Sequence, residues 1–271
     1  MALSKEETSS KTFKNEAPRT LTFLGTGTSQ GVPLIGCNCA VCRSKDPRDS
    51  RLRTSALLET PATRVLIDCG PDFRQQILRQ PFRKIDGVLL THIHYDHVGG
   101  LDDLRPFCKL GDVDIYANKG TVDGLHTTMP YCFAEHLYPG VPKLNIHTIN
   151  KHDIFRVGDI EIEPIEVMHD KLPILGFRFG SLAYITDMKS ISDEEFPYLQ
   201  GVDTLVVNAL RFEKPHHSHQ LVDDAVEFSR RIGAKRTYFI HMTHEIGLHP
   251  DADKRLPEGF HFAYDGLKIT V

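Results

Sequence analysis

The sequence predicts a layered α/β domain in which mixed sheets are flanked by helices. Short β-like runs recur from residue 20 to residue 271, and helical patterns fall between them. No repeat, low-complexity tract or Pro/Gly-rich linker breaks the chain after residue 20. Interleaving of this kind favours one layered domain, 20–271, over two separate ones. With 40% apolar and 25% charged residues, the 271-residue chain can bury a substantial core.

The elements follow in order. Residues 1–19, "MALSKEETSSKTFKNEAPR", are polar and read as a disordered tail. β-like runs then cover 20–25, 55–60, 64–70, 86–92, 113–118, 143–149, 160–169, 176–187, 203–210 and 236–241. The closing "HFAYDGLKITV" sets Asp265-Gly266 between two such runs, the signal of a two-residue hairpin. Helices are expected over 71–80, where Pro71 opens the segment, and over 192–200, with a Ser cap and acids in the first turn. A third covers 219–235, with Leu221, Val222, Ala225, Val226 and Phe228 roughly on one face and Gly233 where a C-terminal cap belongs.

No run of 18 apolar residues is present, so membrane association is not expected. The start lacks the apolar stretch of a signal peptide, which places the protein in the cytoplasm. The six cysteines then read as thiols or metal ligands rather than disulfides. A net charge of −4 gives no general reason to expect nucleic-acid binding.

The richest stretch is "LLTHIHYDHVGGLDD" (89–103). It follows an apolar strand-like run and precedes "VGGL", the setting of a strand-to-helix loop. His92 and His94 alternate as strand neighbours do, so both imidazoles lie on one side. Asp96 and His97 come round on the turn, and Gly99 and Gly100 let the backbone approach closely. Imidazole with carboxylate suits zinc or another borderline divalent ion. Further ligands must come from elsewhere, and His169, Asp187 and His241 each end a β-like run.

On these residues the chain resembles the metallo-β-lactamase superfamily of binuclear metallohydrolases, an αββα sandwich. The resemblance covers 20–271 and implies a ligand set. His92, His94 and His169 would hold one divalent metal; Asp96, His97 and His241 would hold the second; Asp187 would bridge them. Asp68 in "LIDCG" matches the aspartate that orients the ligand loop. Two catalytic metals suit hydrolysis by an activated water, with Asp96 also hydrogen-bonded to that water. Zinc, manganese and iron all fit this donor set.

"GCNCAVC" places Cys37, Cys39 and Cys42 in C-x-C-x2-C order, the pattern of a structural zinc site that wants a fourth ligand. His244 in "HMTHE" is the first candidate, with Cys69 and His249 behind it; Cys108 and Cys132 read as ordinary buried thiols. This knuckle, with "GTGTSQGVP", "GPDFRQQ" and "GLDDLRPF", resembles the accessory phosphodiesterase family of carbon–phosphorus lyase pathways. That family hydrolyses cyclic phosphodiesters, notably phosphoribosyl 1,2-cyclic phosphate, and is related to the tRNA 3′-end processing nucleases. The resemblance also implies homodimerisation.

Both phosphodiesterase branches use a histidine to protonate the leaving group. His219 stands 22 positions before His241, the spacing those branches show, with His216 and His217 as alternatives. At a helix start it would sit near an anion-favouring terminus that lowers an imidazole's pKa. Arg74, Arg105 and Arg211 are candidates for phosphate contact. Residues 102–168, where a tRNA-gripping arm would lie, carry six Lys or Arg against eleven Asp or Glu, which argues against that function. Thioester or amide hydrolysis, as in glyoxalase II or the lactamases, has little use for His219 or the thiols. The expected partner is therefore a small phosphodiester substrate.

Overall fold

Strand-forming runs alternate with polar turns along the chain, and the computed structural model describes them for residues 18–134, 136 and 139–271. The first half contains β1 (Thr20–Gly25), β2 (Ser55–Glu59), β3 (Arg64–Ile67), α1 (Phe73–Ile77), β4 (Gly87–Leu89), α2 (Tyr95–Val98), β5 (Val113–Ala117), α3 (Lys119–Thr128) and β6 (Leu144–Thr148). The second contains β7 (Phe155–Val157), β8 (Ile160–His169), β9 (Leu172–Phe179), β10 (Leu182–Ile185), β11 (Thr204–Asn208) and α4 (Val222–Ile232). It ends with β12 (Arg236–Ile240), α5 (His249–Asp253), β13 (Phe260–Phe262) and β14 (Lys268–Thr270).

The strands form two seven-stranded sheets, β14-β1-β2-β3-β4-β5-β6 and β13-β12-β11-β10-β9-β8-β7. Each sheet is antiparallel over one half, β14 to β3 and β7 to β10, and parallel over the other, β3 to β6 and β10 to β13. Burial follows pairing. β8 alternates along most of its length, whereas β11, flanked by parallel neighbours, is buried throughout.

Between the sheets Leu21, Phe23, Leu58 and Ile67 meet Ile162, Phe177, Phe179, Tyr184 and Val206. Each large apolar side chain buried there contributes roughly 1.5–3 kcal/mol. The outer face of the first sheet packs on Phe73, Val98, Val122 and Leu125 from the helices. The outer face of the second packs on Val222, Ala225, Val226 and Phe228 of α4. Gly233 ends α4 in the left-handed conformation, φ +80, with its N–H and that of Ala234 on the Ser229 carbonyl. The layers are therefore helix, sheet, sheet, helix.

Several expectations shift. The Asp265-Gly266 turn does not make a hairpin, because β13 pairs with β12 in the second sheet and β14 with β1 in the first. The Asp265 carboxylate instead accepts hydrogen bonds from Thr26 Oγ1 (2.8 Å) and the Leu52 N–H (2.7 Å), which carries the chain across between sheets. The run 176–187 is two strands joined at Gly180-Ser181, and β9 begins earlier, at Leu172. The segment 192–200 is a 3-10 helix over Asp193–Leu199, capped by Ser192. β7 and α3 were not among the expected elements. Residues 1–17 of the expected tail lie outside the described residues, while Arg19 is buried and exchanges backbone hydrogen bonds with Val271 at 3.2 and 2.9 Å. Among the described residues no helix is long and apolar enough to cross a membrane.

Candidate metal centre and thiol site

The carboxyl ends of β3, β4, β8, β10 and β12 meet at one edge of the sandwich. Three residues there, Asp68, Asp187 and His241, hold φ of +58, +56 and +58. A non-glycine residue in this left-handed region costs on the order of 1–3 kcal/mol, and such strain concentrates at functional sites. It turns each side chain back toward the seam between the sheets. The loop after β3 braces the histidine turn: the Cys69 N–H donates to the His97 carbonyl and the Gly100 N–H to the Cys69 carbonyl, both at 2.8 Å. A Cβ on Gly70 would lie 2.0 Å from the Asp96 carbonyl oxygen, and one on Gly100 would lie 2.0 Å from that of Gly70. Only glycine fits where these segments cross.

Hydrogen bonds fix the tautomers. Asp68, fully buried, accepts from the Thr91 N–H (2.9 Å), Thr91 Oγ1 (2.9 Å) and His97 Nδ1 (2.7 Å). The Thr91 oxygen, having given its proton to Asp68, accepts from His92 Nδ1 at 2.9 Å. His169 Nδ1 donates to the Ser218 carbonyl at 2.9 Å. The Nε2 lone pairs of His92, His97 and His169 are thus left free to bind a cation.

Donor atoms converge accordingly. Those of His92, His94 and His169 lie within 4.8 Å of one another, as do those of Asp96, His97 and His241. Asp187 joins both neighbourhoods, forming one group with His92 and His97 and another with His169 and His219. Its carboxylate stands 3.3 Å from His97 Nε2 and 3.0 Å from His241 Nε2. The structure therefore brings all seven ligands expected from the sequence to one place.

The electrostatics fit a cation there. Buried Nε2 atoms of His92, His97 and His241 have no hydrogen-bond partner. Burial pushes the His92 pKa well below its ordinary value. Burial also opposes charge on His97, yet the carboxylates of Asp68, Asp187 and Asp96 outweigh it and raise that pKa. Burial likewise works against ionised Asp96 and Asp187, and the imidazoles of His97 and His241 hold both below the usual carboxylate range. The cluster collects negative charge that asks for a positive centre, and imidazole plus carboxylate is the donor set of borderline divalent metals.

His219 packs against this cluster. Its ring centroid is 4.7 Å from those of both His169 and His241, and its buried Nδ1 lies 3.7 Å from Asp187 Oδ1 with no hydrogen-bond partner. It precedes Leu221, the N-cap of α4, rather than opening the helix. Its pKa is pushed down to about 2, first by burial and then by His241. His216 lies behind it, ring centroids 5.0 Å apart, and His217 lines the outer mouth.

The arginines disperse. Arg105 is on the surface, paired with Asp102 at 2.6 Å, and Arg74 is exposed on α1. Arg211 ion-pairs with Glu245. Sequence reasoning missed Thr91, the Ser218 carbonyl and Lys189, whose Nζ donates to the His219 carbonyl at 3.2 Å. Thr91 alone had a signal, its place directly before His92.

A second cluster lies three residues beyond His241. Donor atoms of Cys37, Cys39, Cys42 and His244 all fall within 4.8 Å of one another. His244 Nδ1 is 3.2 Å from Cys39 Sγ and 3.7 Å from Cys37 Sγ. The Cys42 N–H, donating to Cys39, is the main cause that lowers the Cys39 thiol to about 6, while burial raises Cys42 to about 11. Three sulfurs and one imidazole make a closed tetrahedral donor set suited to structural zinc. Cys69 is instead buried in the apolar layer under the first sheet. The other runner-up, His249, accepts from the Arg51 guanidinium through Nδ1 at 3.1 Å. Cys132 is buried, but Cys108 is only partly so.

Residues 63–242 match the family described as the beta-lactamase superfamily domain. A crystal structure of a new diphosphatase from the PhnP family superposes with a TM-score of 0.87 at 41% identity, covering 94% of this chain and 97% of that one. The chain belongs to the beta-lactamase superfamily and, within it, to the PhnP family. This PhnP-family chain is also 44% identical, over 92% of its length, to an octanoyltransferase of Porphyromonas gingivalis, of which it covers 51%. A ribonuclease Z of Nostoc is 27% identical over 58% of this chain and 45% of its own length. The chain spans about half the length of these curated relatives. In this chain of the beta-lactamase superfamily the histidine and carboxylate clusters of the site are donor sets of the kind a divalent metal takes.

Proposed function

We propose that the protein hydrolyses a small cyclic phosphodiester, of which phosphoribosyl 1,2-cyclic phosphate is the representative, to a phosphomonoester. The observation that supports this most directly is His219, a buried imidazole with a free nitrogen beside the metal cluster. An alkoxide leaving group benefits from a proton donor at that place, whereas a thiolate leaving group gains far less.

In this reading His92, His94 and His169 would hold one divalent ion and Asp96, His97 and His241 a second, with Asp187 available to both; zinc, manganese and iron all suit this donor set. Two bound ions supply Lewis acidity toward the phosphoryl oxygens and an acidified water. The protein does the rest. Asp68 and Thr91 hold the His97 and His92 rings in register, and the Ser218 carbonyl holds His169. Asp96 accepts a hydrogen bond from the attacking water, and His219, drawn to its protonated form by the negative charge of a bound phosphodiester, delivers a proton to the departing oxygen. The thiol site, filled by a structural zinc, fixes the turn after β12.

The mouth is small. A cavity of about 360 Å³ is lined by His94, His169, Asp170, Lys171, His217 and Ser218. Beside it a cavity of about 150 Å³ is lined by His92, Ile93, Thr121, Leu172 and Pro173. These dimensions suit a metabolite. Residues 102–168 carry an excess of acids, which opposes a polynucleotide track, and their described part includes β5, α3, β6 and β7. A second reading, cleavage of a diphosphate, is favoured by the diphosphatase at 41% identity; its phosphate leaving group would not need His219.

The test is turnover on a panel: a ribosyl 1,2-cyclic phosphate, 2′,3′-cyclic nucleotides, bis(p-nitrophenyl) phosphate, a diphosphate diester, a tRNA precursor and a glutathione thioester. Metal content is measured on the same preparation. Fastest turnover of a cyclic phosphodiester is the expected result. Preference for the tRNA precursor or the thioester would overturn it, and preference for the diphosphate would establish the second reading.

A further inference from the structure

The segment that carries His216, His217 and His219 is a loop closed at its base. The Leu210 N–H donates to the Gln220 carbonyl and the Val222 N–H to the Arg211 carbonyl, both at 3.0 Å. Inside the loop the backbone is left-handed at Lys214, φ +63, and Arg211 Nε donates to the Lys214 carbonyl at 2.9 Å. Closure of the base alone leaves the arm between Arg211 and His219 free to shift.

His169 and Lys189 hold the end of that arm through the Ser218 and His219 carbonyls, and a carboxylate from another element grips its beginning. Glu245 ion-pairs with Arg211 through one oxygen and with Lys214 through the other. Glu245 follows His244 in the 3-10 turn His244–Ile246, whose cap Thr243 receives the Glu245 N–H at 3.2 Å. The Thr243 N–H in turn donates to the Leu210 carbonyl at 3.0 Å. The turn begins at His244, among the thiols, three residues after His241 of the metal cluster. Arg211 is only 18% and Glu245 27% exposed, so that pair is not one of the exposed surface pairs that contribute little, whereas Lys214, 72% exposed, adds less to the grip.

We propose that Glu245 is a positioning residue for His219. By gripping Arg211 and Lys214 it sets the His219 loop relative to the turn that bears His241 and His244. The thiol site thus acts on proton delivery through Glu245. The proposal rests on His219 being the proton donor.

Glu245→Gln, Glu245→Asp and His219→Ala are compared with the native protein, all metal-loaded. The substrates are two phosphodiesters of like size, one with an alkoxide and one with a p-nitrophenolate leaving group. A misplacement of about 1 Å costs on the order of 10²-fold, so Glu245→Gln should lower kcat for the alkoxide ester by about 10–100-fold. The fall for the p-nitrophenyl ester should be much smaller, with KM and metal content unchanged. Glu245→Asp should recover part of the loss. The double variant should be no slower than His219→Ala alone, and hydrogen exchange over 211–219 should speed up in Glu245→Gln. Equal losses on both esters, or full additivity with His219→Ala, would overturn the positioning role. If His219→Ala itself fails to discriminate between the esters, the donor reading falls, and the proposal with it.

Discussion

His97 shows how one side chain joins several demands. Its Nδ1 is tied to Asp68, its Nε2 lies within reach of Asp96 and Asp187, and it is completely buried. His219, by contrast, has a free nitrogen and a buried ring, the condition of a group kept for chemistry rather than for structure. General acids of this kind contribute about 10²- to 10⁴-fold. His219→Ala should therefore lower kcat for a poor-leaving-group phosphodiester by that order, with both catalytic metals retained by elemental analysis. At this scale the sequence was legible where ligands cluster or end strands, as in "HIHYDH", Asp187 and His241. It was not legible for Arg211, because nothing near it in sequence announces Glu245, 34 positions away.

Elements place those side chains, and the crossing of two loops decides whether they can. The segment after β3 runs against the histidine turn so closely that Gly70 and Gly100 leave no room for a methyl group. Gly70→Ala should push the Asp96 backbone outward and weaken the site holding Asp96, His97 and His241. Metal titration would show lower affinity for one ion, by roughly 10–100-fold as for disturbed outer partners. Retention of native affinity would mean the crossing relaxes without loss. Most strands were readable because apolar runs bounded by turn residues fix them. β7 escaped because Phe155–Val157 is only three residues long, and α3 because Gly120, Gly124 and its threonines dilute the helical pattern. The C-terminal hairpin was misread for a longer-range reason. Its turn chemistry suits a hairpin, but both faces of the sandwich compete for the last strand, and β1 wins it.

Across the whole molecule, the link between β13 and β14 holds a titratable group under strain. Burial raises the Asp265 pKa from 3.8 to about 6, against the hydrogen bonds from Leu52 and Thr26 and the nearby Arg51, which lower it. A folded-state value above the unfolded one means that the protonated form favours folding. That contribution is complete below about pH 4 and is lost as pH rises through about 6. Asp265→Asn lacks it. The melting temperature of the native protein relative to this variant should therefore drop by roughly 4–8 °C between pH 4 and 6.5, a shift worth about 2 kcal/mol at this size. A difference that stays flat across that range would show Asp265 to be ionised throughout.

The ligands are divided between the two halves of the chain. His92, His94, Asp96 and His97 follow a strand of the first sheet; His169, Asp187 and His241 end or follow strands of the second. Neither half owns a complete coordination sphere, so cation binding and the joining of the halves are one equilibrium. Ions seated there act as rivets through the seam, and their affinity measures how firmly the two half-sandwiches are pressed together.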